Sequence, residues 1–401
     1  MHHPTPDPLL RFRDEFPILA ATNYMVSNSL GAMPRAVSER LADYAREWAT
    51  SGVRAWAQGW WDLPIRVGDE IAPLLGAKPG ETVMVPNVSI AQAQVLSALE
   101  FVPGRKDTIV MTEMDFPSVK YVTSQLAERF GARVVVVPSE DGVSVDEERI
   151  LAAIDERTAL VSVSHVLFRS AYIVDVARVS KRAHEFGALV CLDAYHSVGV
   201  VPVDVEVLGV DFLTGGVLKW LCGGPGGSFL WVRPEVSERL APAVTGWQAH
   251  SHPFAFDPDM SFAEGASRWL TGTPVIPALF AAAVGPRIVR EAGMDAIRAK
   301  SERQTARLVI LADGRGFPVT APRDGRRRGG TVAFDVPHAR EVAQALLSRD
   351  VIVDYRPGAG IRVAPHFYSS DDEVESVVGN IDEILAQETW KRYTLQKSIV
   401  T

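Results

Sequence analysis

Three residues carry chemistry both by their type and by where they fall. Asp193 closes the apolar run Leu189–Asp193, His196 follows within the same turn, and Lys219 stands in VLKWLCGGPGG at 217–227. In open parallel sheets, active sites form beyond the carboxyl ends of the strands, so an aspartate there is well placed to act. Val217, Leu218, Trp220 and Leu221 flank Lys219. Apolar flanks desolvate an amine, which lowers its pKa and frees it for Schiff-base chemistry. A pyridine-type cofactor needs a carboxylate at its ring nitrogen to remain an electron sink, and Asp193 can supply one. Taken singly, Lys219 reads as a snorkelling surface lysine and Asp193 as a turn cap. Taken together they point to a site.

Such residues must be held by a scaffold, and the chain alternates in the way that builds one. Short β-rich runs at Thr82–Val85, Asp107–Thr112, Ala132–Pro138, Ala159–His165, Leu189–Asp193, Phe212–Thr214 and Ser228–Val232 read as strands. Helical patterns lie between several of them, at Ile90–Leu99, Pro117–Phe130, Val145–Ile154 and Val176–Phe186. Strands alternating with helices predict βα units and a mostly parallel sheet, an α/β fold. After Pro234 the rhythm changes. An aromatic-rich loop region at 246–273 precedes a long amphipathic helix pattern at Val289–Leu311. The run Arg326–Arg328 reads as part of a solvated loop. Strand Thr331–Asp335, helix Ala339–Arg349, strands Val351–Tyr355 and Gly360–Ala364, and helix Asp371–Gln387 then form a small α+β unit.

Composition excludes several classes. Lys and Arg number 41 against 49 Asp and Glu, a net charge of −8, which argues against nucleic acid or an anionic membrane surface as the partner. Two cysteines in 401 residues rule out a disulfide framework and a multi-cysteine metal site. No run reaches the roughly 18 apolar residues of a membrane-spanning helix, and the N-terminus lacks a signal-peptide pattern. A cytoplasmic enzyme is the expectation. No GxGxxG motif is present, so a Rossmann dinucleotide site is not expected.

The segments DxxHSxG at Asp193–Gly199, GVDF at Gly209–Phe212 and LKWLCGGPGG at Leu218–Gly227 resemble fold-type I pyridoxal-phosphate enzymes of the class V aminotransferase group. Within that group the chain is most similar to kynureninases. NSLGAMPRAV at Asn28–Val37, TEMDFPS at Thr112–Ser118 and SHVLFRSAY at Ser164–Tyr172 carry the resemblance along the chain. GWQAH at Gly246–His250, GTPVI at Gly272–Ile276 and GIRVAPHFYSSDDEV at Gly360–Val374 extend it. The resemblance implies an aspartate-aminotransferase fold. Its large domain, residues 30–275, would hold a mainly parallel seven-stranded sheet. A small α+β domain would combine residues 1–29 and 276–401.

It also implies roles. Lys219 carries pyridoxal 5'-phosphate as a Schiff base, Asp193 pairs with the ring nitrogen, and His196 is a neighbouring contact. Phe116 stacks on the ring, and Ser164 lies beside the cofactor. Val88 and Ser89 hold the phosphate at a helix start, where free N–H groups and the helix dipole favour an anion. Trp247 and Thr273 reach the phosphate from the second subunit of a homodimer. Arg362 clamps the α-carboxylate of an amino-acid substrate.

The implied reaction is hydrolytic Cβ–Cγ cleavage of a kynurenine-type substrate. The alternatives are a C–S β-elimination lyase, a class V aminotransferase or epimerase, or a noncatalytic binding protein on a decayed site. Departures from the kynureninase pattern keep these open. Leu218 stands where kynureninases place a tyrosine, Val119 replaces an acidic residue, and Leu167 stands at a commonly polar position. A cysteine desulfurase would need a catalytic thiol on a loop near Arg323–Gly330, and none is there.

Overall fold

The computed structural model describes residues 7–394. The ends of the small unit read from sequence, 1–6 and 395–401, lie outside the described residues. A short strand β1 (Asn23–Tyr24) is followed by β2 (Thr82–Val85), β3 (Thr108–Thr112), β4 (Arg133–Val137), β5 (Thr158–Ser164), β6 (Leu189–Asp193), β7 (Phe212–Gly216) and β8 (Ser228–Val232). Strands β2 to β8 form one seven-stranded sheet in the order β2-β8-β7-β6-β5-β3-β4. Strands β4, β3, β5, β6 and β7 pair in parallel, while β8 runs antiparallel to β7 and β2. The mainly parallel sheet of the expected fold is therefore present.

Parallel neighbours need long crossovers. The helices Pro117–Phe130, Glu147–Ala152 and Val176–Glu185 supply them after β3, β4 and β5. Packing on both faces explains why the strands are apolar along their length rather than alternating. Val83, Ile109, Val161, Val190 and Leu213 are fully buried.

A second sheet is antiparallel, with β9 (Val332–Phe334), β11 (Asp354–Arg356) and β12 (Gly360–Val363) in the order β11-β12-β9. Its register sets Asp354 opposite Arg362. The helices Ala339–Leu347 and Asp371–Ala386 share its apolar core. The second of these starts on a capping box in which Ser370 and Glu373 satisfy each other's backbone N–H. A separate apolar core forms here, with Met25, Leu308, Phe334, Val342, Val374 and Ile381 among its members.

Three expectations need correction. The helix pattern at Val289–Leu311 is two helices, Val284–Ala292 and Met294–Asp313, broken at Gly293. Gly293 sits at φ 84°, a conformation open to glycine and costly for other residues. The strand expected at Val351–Tyr355 is also two: β10 (Val351–Ile352) pairs with β1, and β11 pairs with β12. The chain changes partner at Val353, and a propensity reading cannot see that. Third, only Arg326 of the arginine run is a solvated side chain. Arg327 pairs with Glu147, and Arg328 is 1% exposed, with Nη1 donating to the carbonyls of Pro322 (2.6 Å) and Arg323 (3.2 Å). The loop folds over its own guanidinium because its carbonyls need donors.

Candidate active site

Beyond the carboxyl end of β6 lies a cavity of about 680 Å³. Asp193, His196 and Lys219 line it together with Phe116, Val88, Ser89 and Arg362, all of them expected from the sequence. Each arrives on a different element. Asp193 ends β6, and its carboxylate accepts from the Tyr195 N–H at 3.0 Å. Lys219 follows β7 in a turn that the glycines allow. A Cβ on Gly31 would lie 2.1 Å from the Lys219 carbonyl, so the N-terminal segment can pass close only as glycine.

The Lys219 amine contacts Nε2 of His196. It lies 5.5 Å from the centre of the Phe116 ring and 5.4 Å from that of Tyr195. Burial pushes the Lys219 pKa down, and the nearby Asp193 charge opposes this only in part. Burial pushes Asp193 up, against the Tyr195 N–H and Lys219, which both pull it down. Burial, with the charges of Lys219 and Arg362, holds His196 neutral. The amine is thus kept close to its nucleophilic form, as a Schiff-base lysine requires.

The other end of the cavity is cationic. Arg362 is 3% exposed, and its Nε donates to Asp354 Oδ1 at 2.7 Å. Its Nη2 pairs with the second carboxylate oxygen, and its Nη1 donates to the Phe168 carbonyl. Arg356 also faces the cavity and reaches Asp354 at 3.4 Å. Two guanidiniums share one carboxylate here, so the site keeps a net positive charge for an incoming carboxylate.

An anion site stands at the start of the helix Val88–Ser97. Asn87 caps it, with Oδ1 accepting from the Ile90 N–H at 3.1 Å. Ser89 is therefore not the cap. Val88 and Ser89 occupy the first turn, whose N–H groups have no carbonyl one turn back. Backbone donors at a helix start, an aromatic face at Phe116, a carboxylate at Asp193 and an amine at Lys219 suit a phosphorylated pyridine aldehyde.

Ser164 lies outside the cavity lining, one strand behind Asp193 and opposite it in register. Its N–H donates to Asp115 Oδ1 at 2.7 Å. Trp247 and Thr273 line a different cavity of about 620 Å³, with Trp61 and Phe254. Within this chain the Trp247 indole N–H already donates to the Pro253 carbonyl. Val119 is 1% exposed in an apolar cluster, so that departure fills core, while Leu218 faces the cavity. Asn28, Ser29, Tyr195, Phe168 and Arg356 also line the cavity, and sequence reasoning gave none of them a role. The motif letters around Asn28 and Tyr195 were a signal, but their direction was not.

Both cysteines are buried. Burial pushes the thiols of Cys191 and Cys222 up to about 12. Among the described residues no helix is long and apolar enough to cross a membrane, and no group of three or more His, Cys, Asp or Glu is placed to hold a metal ion.

The chain matches the model of the family described as Aminotransferase class-V over residues 23–368. It is 34% identical to a kynureninase of Pseudomonas fluorescens, covering 97% of this chain and 95% of that protein. It is 33% identical to a kynureninase of Burkholderia pseudomallei (strain K96243), covering 96% of this chain and 94% of that one. Its fold is similar to that of a cysteine desulfurase from Thermococcus onnurineus NA1, with TM-score 0.84, 24% identity, and 96% and 100% of the two chains covered. A cystine C–S lyase, C-DES, superposes with TM-score 0.83 at 19% identity, covering 91% of this chain and 98% of that one. With this cavity, this sheet and these relatives, the chain belongs to the class-V aminotransferase family, whose fold it shares and whose cofactor is pyridoxal phosphate.

Proposed function

We propose that this enzyme acts on an α-amino acid and cleaves the Cβ–Cγ bond of a kynurenine-type substrate by hydrolysis. One observation carries the reading: a desolvated lysine and an arginine fork face the same cavity in a chain 34% identical to a kynureninase along 97% of its length. Pyridoxal phosphate, when bound, supplies the electron sink for the substrate's α-carbon. Lys219 would hold it covalently, and Asp193, with Ser164 opposite it on the neighbouring strand, would carry the charge facing its ring nitrogen. Phe116 would lie on the ring face, and the N–H groups of Val88 and Ser89 would take the phosphate.

The chain's own groups then divide the work. Arg362 orients the α-carboxylate. The Lys219 amine, freed as the substrate's amino group takes its place, would accept the α-proton and return it, as its lowered pKa allows. His196, neutral and touching Nζ, keeps the amine aimed. Phe168 and Ile90 give the substrate side chain apolar walls.

Trp247 and Thr273 would approach the phosphate from the second subunit of a homodimer. The exposure of Trp247 (44%) and Phe254 (64%) in one aromatic cluster supports this. Sedimentation showing a monomer at micromolar concentration would remove that part.

The test is incubation of cofactor-loaded protein with L-kynurenine and 3-hydroxykynurenine, following anthranilates and alanine. Leu218 in the cavity favours a second reading, a C–S β-elimination lyase that needs no thiol nucleophile. Pyruvate and ammonia from S-substituted cysteines, without anthranilate, would select it. Amino-group transfer to a keto acid would select a transaminase instead. A gain of kynurenine cleavage in Leu218→Tyr would tie the departure to substrate choice.

A further inference from the structure

Asn28 is 1% exposed, yet neither its Oδ1 nor its Nδ2 has a hydrogen-bond partner. A buried amide with nothing to bond is costly, and folded chains rarely keep one without a use. Neighbouring polar groups are satisfied: the Ser27 and Tyr368 hydroxyls bond each other at 2.7 Å, and Arg362 bonds Asp354. Asn28 lines the cavity that holds Lys219 and Arg362.

The backbone fixes it there. Val26 bridges to Ala364, two residues beyond Arg362 in the chain. The Ser29 N–H bonds the Val26 carbonyl at 2.8 Å, and the Gly31 N–H bonds the carbonyl of Leu218, the residue before Lys219, also at 2.8 Å. Asn28 is thus pinned between the arginine strand and the lysine turn, in a segment with no slack to turn its amide elsewhere.

We infer that Asn28 is a substrate-binding residue whose Nδ2 donates to the α-carboxylate that Arg362 also holds. The inference rests on the amino-acid reading of the cavity. It follows from counting donors. A carboxylate has about four lone-pair sites. Arg362 spends its Nε, one Nη2 hydrogen and one Nη1 hydrogen on Asp354 and Phe168, which leaves one hydrogen on each Nη for the ligand. Acceptor sites on the carboxylate remain open, and the unpartnered amide donor in the same wall fills one.

The experiment compares L-alanine with ethylamine, which is alanine without its carboxylate. Binding of each to the cofactor-loaded protein is read from the change in absorbance of the lysine-bound cofactor, and thermal midpoints are measured alongside. In Asn28→Ala, L-alanine should bind about tenfold more weakly, in line with the loss of one charge-assisted hydrogen bond, and ethylamine should bind as before. The thermal midpoint should stay level or rise, because no internal bond is lost; a merely structural asparagine would lower it. Asn28→Asp, nearly isosteric, removes the donors and adds a like charge, so L-alanine should weaken further. If either folded variant binds L-alanine as wild type does, or loses both ligands equally, the inference is overturned. If wild type itself does not distinguish L-alanine from ethylamine, the amino-acid reading falls first and the inference with it.

Discussion

At one end of the cavity, Asp193, His196 and Lys219 come from a single stretch of 27 positions, on and just after β6 and β7. At the other end, Asn28, Arg356 and Arg362 come from opposite ends of the chain. The lysine end rests on parallel strands buried on both faces, and its chemistry follows from desolvation. The arginine end rests on a small antiparallel sheet, where register places Asp354 against Arg362, and its chemistry follows from charge pairing. A desolvated nucleophile can therefore be written into local sequence. The arginine end is less legible, because Asp354 meets Arg362 only through strand register and Asn28 arrives on a segment more than 300 residues away.

The comparison can be broken most sharply at the lysine. Lys219→Ala should abolish the absorbance of the lysine-bound cofactor and reduce turnover to background while the fold persists; a retained band would mean another amine is the attachment point. At the other end, Asp354→Ala should destabilise the protein by about 3–5 kcal/mol in a denaturant titration, because it leaves a buried guanidinium without its counter-charge. A loss below roughly 1 kcal/mol would show that the clamp is held by something else.

A third test uses pH. The Lys219 pKa lies below its ordinary value of 10.5 in the folded chain. The uncharged amine therefore gains population as pH rises through that lowered value. Capture of pyridoxal phosphate by the apoprotein should accelerate with pH and level off before 10.5. A rate still climbing past 10.5 would mean an ordinary, solvated lysine. The smallest effect is expected at Phe116→Leu, which keeps apolar bulk but removes the aromatic face. Cofactor affinity should fall by roughly 2- to 10-fold, the range for an aromatic contact of about 0.5–1.5 kcal/mol, with little change at the arginine end.

Much of the sheet was legible because parallel strands buried on both faces leave long apolar runs, and all seven are found within a residue or two of the runs read. What was hidden had tertiary causes. Gly293 breaks a helix whose apolar pattern runs on across it, and only its φ of 84° reveals the break. Arg328 lies in a run that looks solvated, yet it is buried by its own loop's carbonyls. Val119 and Leu218 both depart from the family pattern, but only position in space separates the one that fills core from the one that faces the cavity.

By itself the sequence determined the α/β alternation, the lysine and aspartate at strand ends, and the absence of any thiol at Arg323–Gly330, since each is a property of local order and residue type. The tertiary structure alone decided that Arg362 reaches the cavity already braced by Asp354, that Trp247 and Thr273 line a cavity of their own, and that Asn28 stands buried and unpaired in the same wall as Arg362. Each of these depends on which distant segments meet, and burial and hydrogen bonding are set only when they do.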